Sequence, residues 1–136
     1  MEKILVAIDT NMTSLWSLVY ALNLAKRMQI RISILLFSNS SVSVHAQQEK
    51  TNSKFSIKTE IEKLIAEGRS DGIYIDYYHT CGSYKDEIIK FIQEKKINLL
   101  VIEKHITDKN LSEFIEEIKL RTSGRIELVQ PKDIQP

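Results

Sequence analysis

Two carboxylates and one short polar loop hold most of the chemistry this sequence can offer. Asp9 follows the apolar run 3–8 (KILVAI), and Glu103 follows a second apolar run, 98–102 (NLLVI). Lys104, His105 and Asp108 come next, before any further apolar periodicity. If both runs are strands and lie side by side, Asp9 and Glu103 end at the same edge of a sheet. Two carboxylates there can hold a divalent cation or act as an acid–base pair. The simpler reading is a pair of solvated strand ends, with Asp9 capping the next turn. His79, Cys81, Glu103 and His105 form a zinc set by residue type. Cys81 is the single cysteine, so no internal disulfide exists, and its place near a helix start could lower its thiol pKa. A loop that cradles phosphate uses glycines so that backbone N–H groups can approach the anion, and 103–110 contains none. No G-x-S-x-G elbow, Walker loop or paired-histidine motif is present.

These residues must be placed by the elements around them. KILVAI is continuously apolar and β-branched, as in a strand covered on both faces. Leu15, Leu18, Val19, Leu22 and Ala25 then recur at helical spacing, with Thr13 as N-cap and Lys26 and Arg27 in the last turn. A second strand spans 31–37 (RISILLF), and the polar stretch 38–51 gives no pattern. Ile57, Ile61, Leu64 and Ile65 mark a second helix, with Gly68 read as its C′ residue. A third, less apolar strand is expected at 73–78 (IYIDYY). Ser83 and Asp86 have capping-box spacing ahead of a third helix buried through Ile88, Ile89 and Ile92. A fourth strand, 98–102, precedes a fourth helix with the stripe Leu111, Phe114, Ile115 and Ile118. Gly124 turns the chain into 125–130 (RIELVQ), which Pro131 ends. Strict β–α alternation demands right-handed crossovers, a mostly parallel sheet and helices on both of its faces. One domain is expected over 1–136, with 132–136 a loose tail.

The formal net charge is +1, which supplies no field for nucleic acid or an acidic membrane. Tyr74, Tyr77 and Tyr78 with Phe55 could present an aromatic surface, but no basic patch accompanies them, and alternating tyrosines on a half-buried strand ordinarily pack. No apolar run approaches the roughly 18 residues of a membrane span, and the first nine residues lack a signal-peptide core. A cytoplasmic protein without membrane insertion is expected.

The opening 37 residues resemble the universal stress protein family. Ile4-Leu5-Val6-Ala7-Ile8-Asp9 is similar to that family's "ILVAIDGS" strand and turn, and Tyr20-Ala21-Leu22-Asn23-Leu24-Ala25 to its following helix. Gly82 with Ile88 and Ile89, the strand 98–102, and Ile126-Glu127-Leu128-Val129 agree with its later elements. The resemblance implies a three-layer α/β/α sandwich whose five-stranded sheet runs in the order 3-2-1-4-5. Its ligand crevice would lie at the carboxyl ends of the first and fourth strands. Crevice candidates are then Asp9, Thr10, Phe37, Gly82, Glu103, Lys104 and His105. In that order the third and fourth strands stand three spacings apart, about 14 Å. Zinc bonds reach only about 2.0–2.3 Å, so the zinc set cannot close.

The nucleotide-binding branch of the family carries G-x2-G-x9-G-[ST] after the fourth strand. Counted from the strand, those positions hold Glu103, Ile106, Glu116 and Glu117; counted back from the last strand, the final pair falls on Ser112 and Glu113. Thr10 also replaces the family's first-turn glycine. A carboxylate about 4 Å from a phosphate oxygen is repelled by about 4 kcal/mol at an effective dielectric near 20. Lys104 is a solvated point charge and cannot replace a cradle of N–H groups. ATP is therefore disfavoured, and no cofactor or metal is expected. The expected function is non-enzymatic: a protein acting through contacts with a protein partner or through homodimerisation at a terminal edge strand, Arg125, Ile126, Glu127, Leu128 and Val129. The alternatives are a sensor binding a nucleotide or other small molecule in a rebuilt crevice and, more remotely, a hydrolase using Asp9 and Glu103.

Overall fold

A computed structural model describes residues 2–9, 15–37, 57–81, 83–103 and 111–129. Nine elements alternate along the chain: β1 (Lys3–Asp9), α1 (Trp16–Arg27), β2 (Arg31–Phe37), α2 (Ile57–Ser70), β3 (Ile75–Thr80), α3 (Tyr84–Lys95), β4 (Leu99–Glu103), α4 (Leu111–Arg121) and β5 (Arg125–Val129). All five strands are parallel, in the order β3-β2-β1-β4-β5. The expected sheet and its strand order are both observed.

The continuous apolar run earns β1 its central place. Ile4 to Ile8 have no exposed surface, because helices cover both sides of the strand. Alternation then splits the core in two. Ile4, Val6 and Ile8 pack with Leu18 and Leu22 of α1 and Ile61 of α2. Leu5 and Ala7 pack on the other face with Ile88 and Ile92 of α3 and Ile118 of α4.

Three local expectations change. β3 starts two residues later than its sequence pattern, at Ile75. Ser83 is the N-cap of α3, yet its side chain makes no cap hydrogen bond, so the expected capping box is not formed; Asp86 and Glu87 instead place negative charge in the helix's first turn. Gly68 does not end α2. It lies buried within the helix, and the turn beyond uses Gly72 at φ +86°. Thr13, the expected cap of α1, is outside the described residues; the observed N-cap position is Leu15.

Candidate functional site

The carboxyl ends of β1 and β4 form the place where a doubly wound sheet opens. The two strands pair only from Ile4–Leu99 to Val6–Val101, although both continue beyond. On either side, β1 stays paired with β2 as far as Asp9–Phe37, and β4 with β5 as far as Glu103–Val129. The crevice lies at this reversal of strand order.

Strand periodicity decides what each residue does there. Leu5 and Ala7 face α3 and α4, so Asp9, the next residue in that alternation, belongs to the same face. Leu99 and Val101 face α1 and α2, which sends Glu103 to the opposite face. Asp9 and Glu103 thus end neighbouring strands without sharing a face, and an acid–base or metal-binding pair is not assembled between them. Among the described residues no three His, Cys, Asp or Glu side chains are grouped to hold a metal ion. His79 lies on β3, three strand spacings from β4, and Cys81 beyond it is exposed.

Glu103 is only 3% exposed. Its Oε1 accepts a hydrogen bond at 3.1 Å from the backbone N–H of Ser17, the second residue of α1. The first N–H groups of a helix have no partner within it and carry the positive end of its dipole. Glu103 therefore caps α1 from another strand, 86 residues away. Ser17 itself is completely buried, and its Oγ has no hydrogen-bond partner. The residue fits there because it is small: Ser17, Ala21 and Ala25 form a buried row at four-residue spacing, along which α1 lies close to the sheet.

Aromatic side chains fill the other face. Phe37, at the end of β2, meets Tyr84 edge-on with ring centroids 4.6 Å apart. Tyr84, the first residue of α3, stacks on Phe114 of α4 at 5.5 Å. Edge-on and offset contacts of this kind are favourable for aromatic quadrupoles. The row ties β2, α3 and α4 together across the carboxyl end of the sheet. Thr10, Gly82, Lys104 and His105 lie outside the described residues. Sequence reasoning missed Ser17 and Tyr84 as site residues and read Phe114 only as core. The Ser-x3-Ala-x3-Ala spacing was the available signal for Ser17.

The sequence profile of the universal stress protein family matches residues 1–115. The chain belongs to that family. Solved universal stress proteins share its fold at low identity. One, in complex with cAMP, has a TM-score of 0.64 and 14% identity, covering 96% of this chain and 98% of its own. One from Arabidopsis thaliana with AMP bound has a TM-score of 0.65 and 14% identity, with coverage of 97% and 93%. UspA from Lactobacillus plantarum has a TM-score of 0.64 and 13% identity, with coverage of 94% and 97%. At such identity the likeness establishes the fold alone. A search of curated proteins finds no match to the sequence. Within this universal stress protein, the structure turns the Glu103 carboxylate inward onto the start of α1.

Proposed function

We infer that this universal stress protein is a non-enzymatic, cytoplasmic protein that acts through protein contacts, as a homodimer, with its crevice closed to nucleotide by its own side chains. The observation that carries the reading is the buried Glu103 carboxylate on the Ser17 N–H. It puts a negative charge at the sheet opening and occupies a donor that an external phosphate would need. The Phe37–Tyr84–Phe114 row supports the same reading from the opposite face. The test is calorimetry of the unmodified chain with AMP, cAMP and ATP. The expected result is no saturable binding at millimolar ligand. A Kd below about 10 μM, or about 7 kcal/mol of binding, would refute a closed crevice.

A nucleotide sensor is the second reading, and it is favoured by the AMP- and cAMP-bound relatives of like fold. The same titration separates the two.

Dimerisation draws support from β5, which is an edge strand. Arg125 donates its N–H to Asn98 of the neighbouring strand region, so by alternation Ile126 and Leu128 offer theirs outward. An open groove of about 930 Å³ separates β5 from α1, lined by Tyr20, Leu24 and Met28 on the helix side. A two-fold axis at Ile126 would set Arg125 of each copy opposite Glu127 of the other, whereas an axis at Glu127 would oppose like charges. Cross-strand opposite charges contribute about 0.2–1 kcal/mol each, enough to choose the register but not to hold the dimer. The main drive would be cover for Leu128 and Met28, which are 36% and 52% exposed.

A further inference from the structure

We propose that Arg69 closes the β3 edge of the sheet against strand pairing with a second copy of the chain, leaving β5 as the edge through which copies meet. The proposal extends the homodimer reading and rests on it only for which edge stays open; the closure of β3 stands on its own geometry. Parallel pairing fixes where the backbone groups of β3 point. Ile32 donates its N–H to the Tyr74 carbonyl at 3.0 Å, and β2 and β3 keep the register from Ile32–Ile75 to Phe37–Thr80. Tyr74, Asp76, Tyr78 and Thr80 therefore turn their backbone groups towards β2, and Ile75, Tyr77 and His79 turn theirs away from the sheet. The Ile75 carbonyl is thus aimed at the place an added strand would occupy. It accepts a hydrogen bond at 2.8 Å from Nη2 of Arg69. The fold delivers the arginine to that place. Arg69 stands in the last turn of α2, where the helix dipole favours a cation. Gly68 lets this turn come down onto β3: an added Cβ there would stand 2.7 Å from Ile75 Cδ1. The turn between helix and strand is fixed by the Gly72 N–H on the Arg69 carbonyl and the Ile73 N–H on the Gly68 carbonyl.

Without the arginine, β3 would be the more adhesive of the two edges. It has six residues to the five of β5. Its sequence, IDYYHT, carries one acidic residue and no Lys or Arg, and Tyr78 is exposed. A weakly charged edge rich in β-formers pairs with other chains unless something covers or charges it. A second copy would pair antiparallel about a two-fold axis at Tyr77, which sets Ile75 of each copy opposite His79 of the other. The Ile75 carbonyl is then needed at both ends of the ladder, once from each copy. Arg69 holds that carbonyl in a charge-assisted bond, and its guanidinium lies where the incoming strand must come. Pairing would have to displace this bond in both copies and bring two cations into the contact. What is left between the two arginines, the Tyr77 pair at the centre, is too short to hold a ladder.

The test is made in the full-length chain carrying Leu128→Pro, so that pairing at β5 does not contribute. Leu128→Pro alone and Arg69→Ala with Leu128→Pro are compared by sedimentation and by amide hydrogen exchange. The double variant is expected to dimerise about tenfold or more tightly than Leu128→Pro alone, with a Kd on the order of 100 μM. At concentrations several times that Kd the outward Tyr77 N–H should exchange about threefold more slowly, whereas local unfolding or non-specific aggregation would not slow this edge amide. Arg69→Lys with Leu128→Pro keeps a cation and a donor, and it is expected to stay monomeric. Equal association with and without Arg69, association without slowing at Tyr77, or a lysine variant that dimerises as tightly as the alanine one would overturn the proposal. If Arg69→Ala does not fold, Arg69→Met retains the aliphatic bulk and loses the donors and the charge. It is expected to give the same dimer, and its failure to do so would overturn the closure equally. An unmodified chain that sediments as a monomer would sink the β5 homodimer without altering this comparison.

Discussion

Replacing Glu103 by leucine asks whether its carboxylate supports the fold or burdens it. Leucine retains comparable bulk at a position only 3% exposed, so the change isolates the polar contact. The Ser17 N–H would lose its acceptor at 3.1 Å. A buried donor left unpaired costs about 1–3 kcal/mol. Loss of the anion from the first turn of α1 removes a further contribution of about 0.3–1 kcal/mol. Against this stands relief from burying a carboxylate, which can reach several kcal/mol for an ion without compensation. Here the helix terminus already compensates it, so the relief is partial, and Glu103→Leu should destabilise the protein by about 2–3 kcal/mol. Glu103→Gln keeps an oxygen acceptor and loses only the charge, so it should cost about 1 kcal/mol. For a chain of this size the leucine variant should melt roughly 6–12 °C lower. Trp16, the single tryptophan, adjoins Ser17 at the start of α1, and its fluorescence in a urea titration reports on this end of the helix directly. A Glu103→Leu protein as stable as the unmodified chain, or more stable, would refute the capping role. It would mark the carboxylate as a stability cost retained for chemistry.

Tyr77→Phe should stabilise by about 1 kcal/mol, because the buried Tyr77 Oη has no hydrogen-bond partner. Burial first, and Glu62 second, raise the Tyr77 pKa above the usual 10.0. A folded-state value above the unfolded one contributes stability that is whole below pH 10 and is lost as pH rises through the folded value, so urea midpoints should fall less steeply above pH 10 in the phenylalanine variant. Gly68→Ala should destabilise by about 1 kcal/mol in the same assay: an added Cβ would stand 2.7 Å from Ile75 Cδ1 and 3.0 Å from Leu22 Cδ2. Overpacking of about 1–3 kcal/mol outweighs a helix-propensity gain of at most about 1 kcal/mol. Leu128→Pro removes an N–H directed away from β4, so it should leave a folded monomer where the unmodified chain sediments as a dimer at tens of micromolar. A monomeric unmodified chain would refute the edge-strand interface.

Local sequence determined the order and kind of the elements. KILVAI could only be a strand buried on both sides, and the stripe from Leu111 to Ile118 could only be an amphipathic helix, because burial repeats every two residues in one and every 3.6 in the other. The resemblance carried by the first 37 residues supplied the strand order. The missing glycines were legible too, since backbone approach to phosphate is a local requirement. Tertiary structure alone decided what stands in their place. Asp9 and Glu103 look alike as strand-end carboxylates, yet the register of β1 against β4 and the alternation along each strand send them to opposite faces. Gly68 reads as a helix stop, but the approach of Leu22 and Ile75 makes it a packing residue within α2. Ser17 and Glu103 are 86 residues apart, and a hydrogen bond between them leaves no periodicity in either segment. A helix terminus needs an acceptor, but its own sequence does not say which distant strand will provide one.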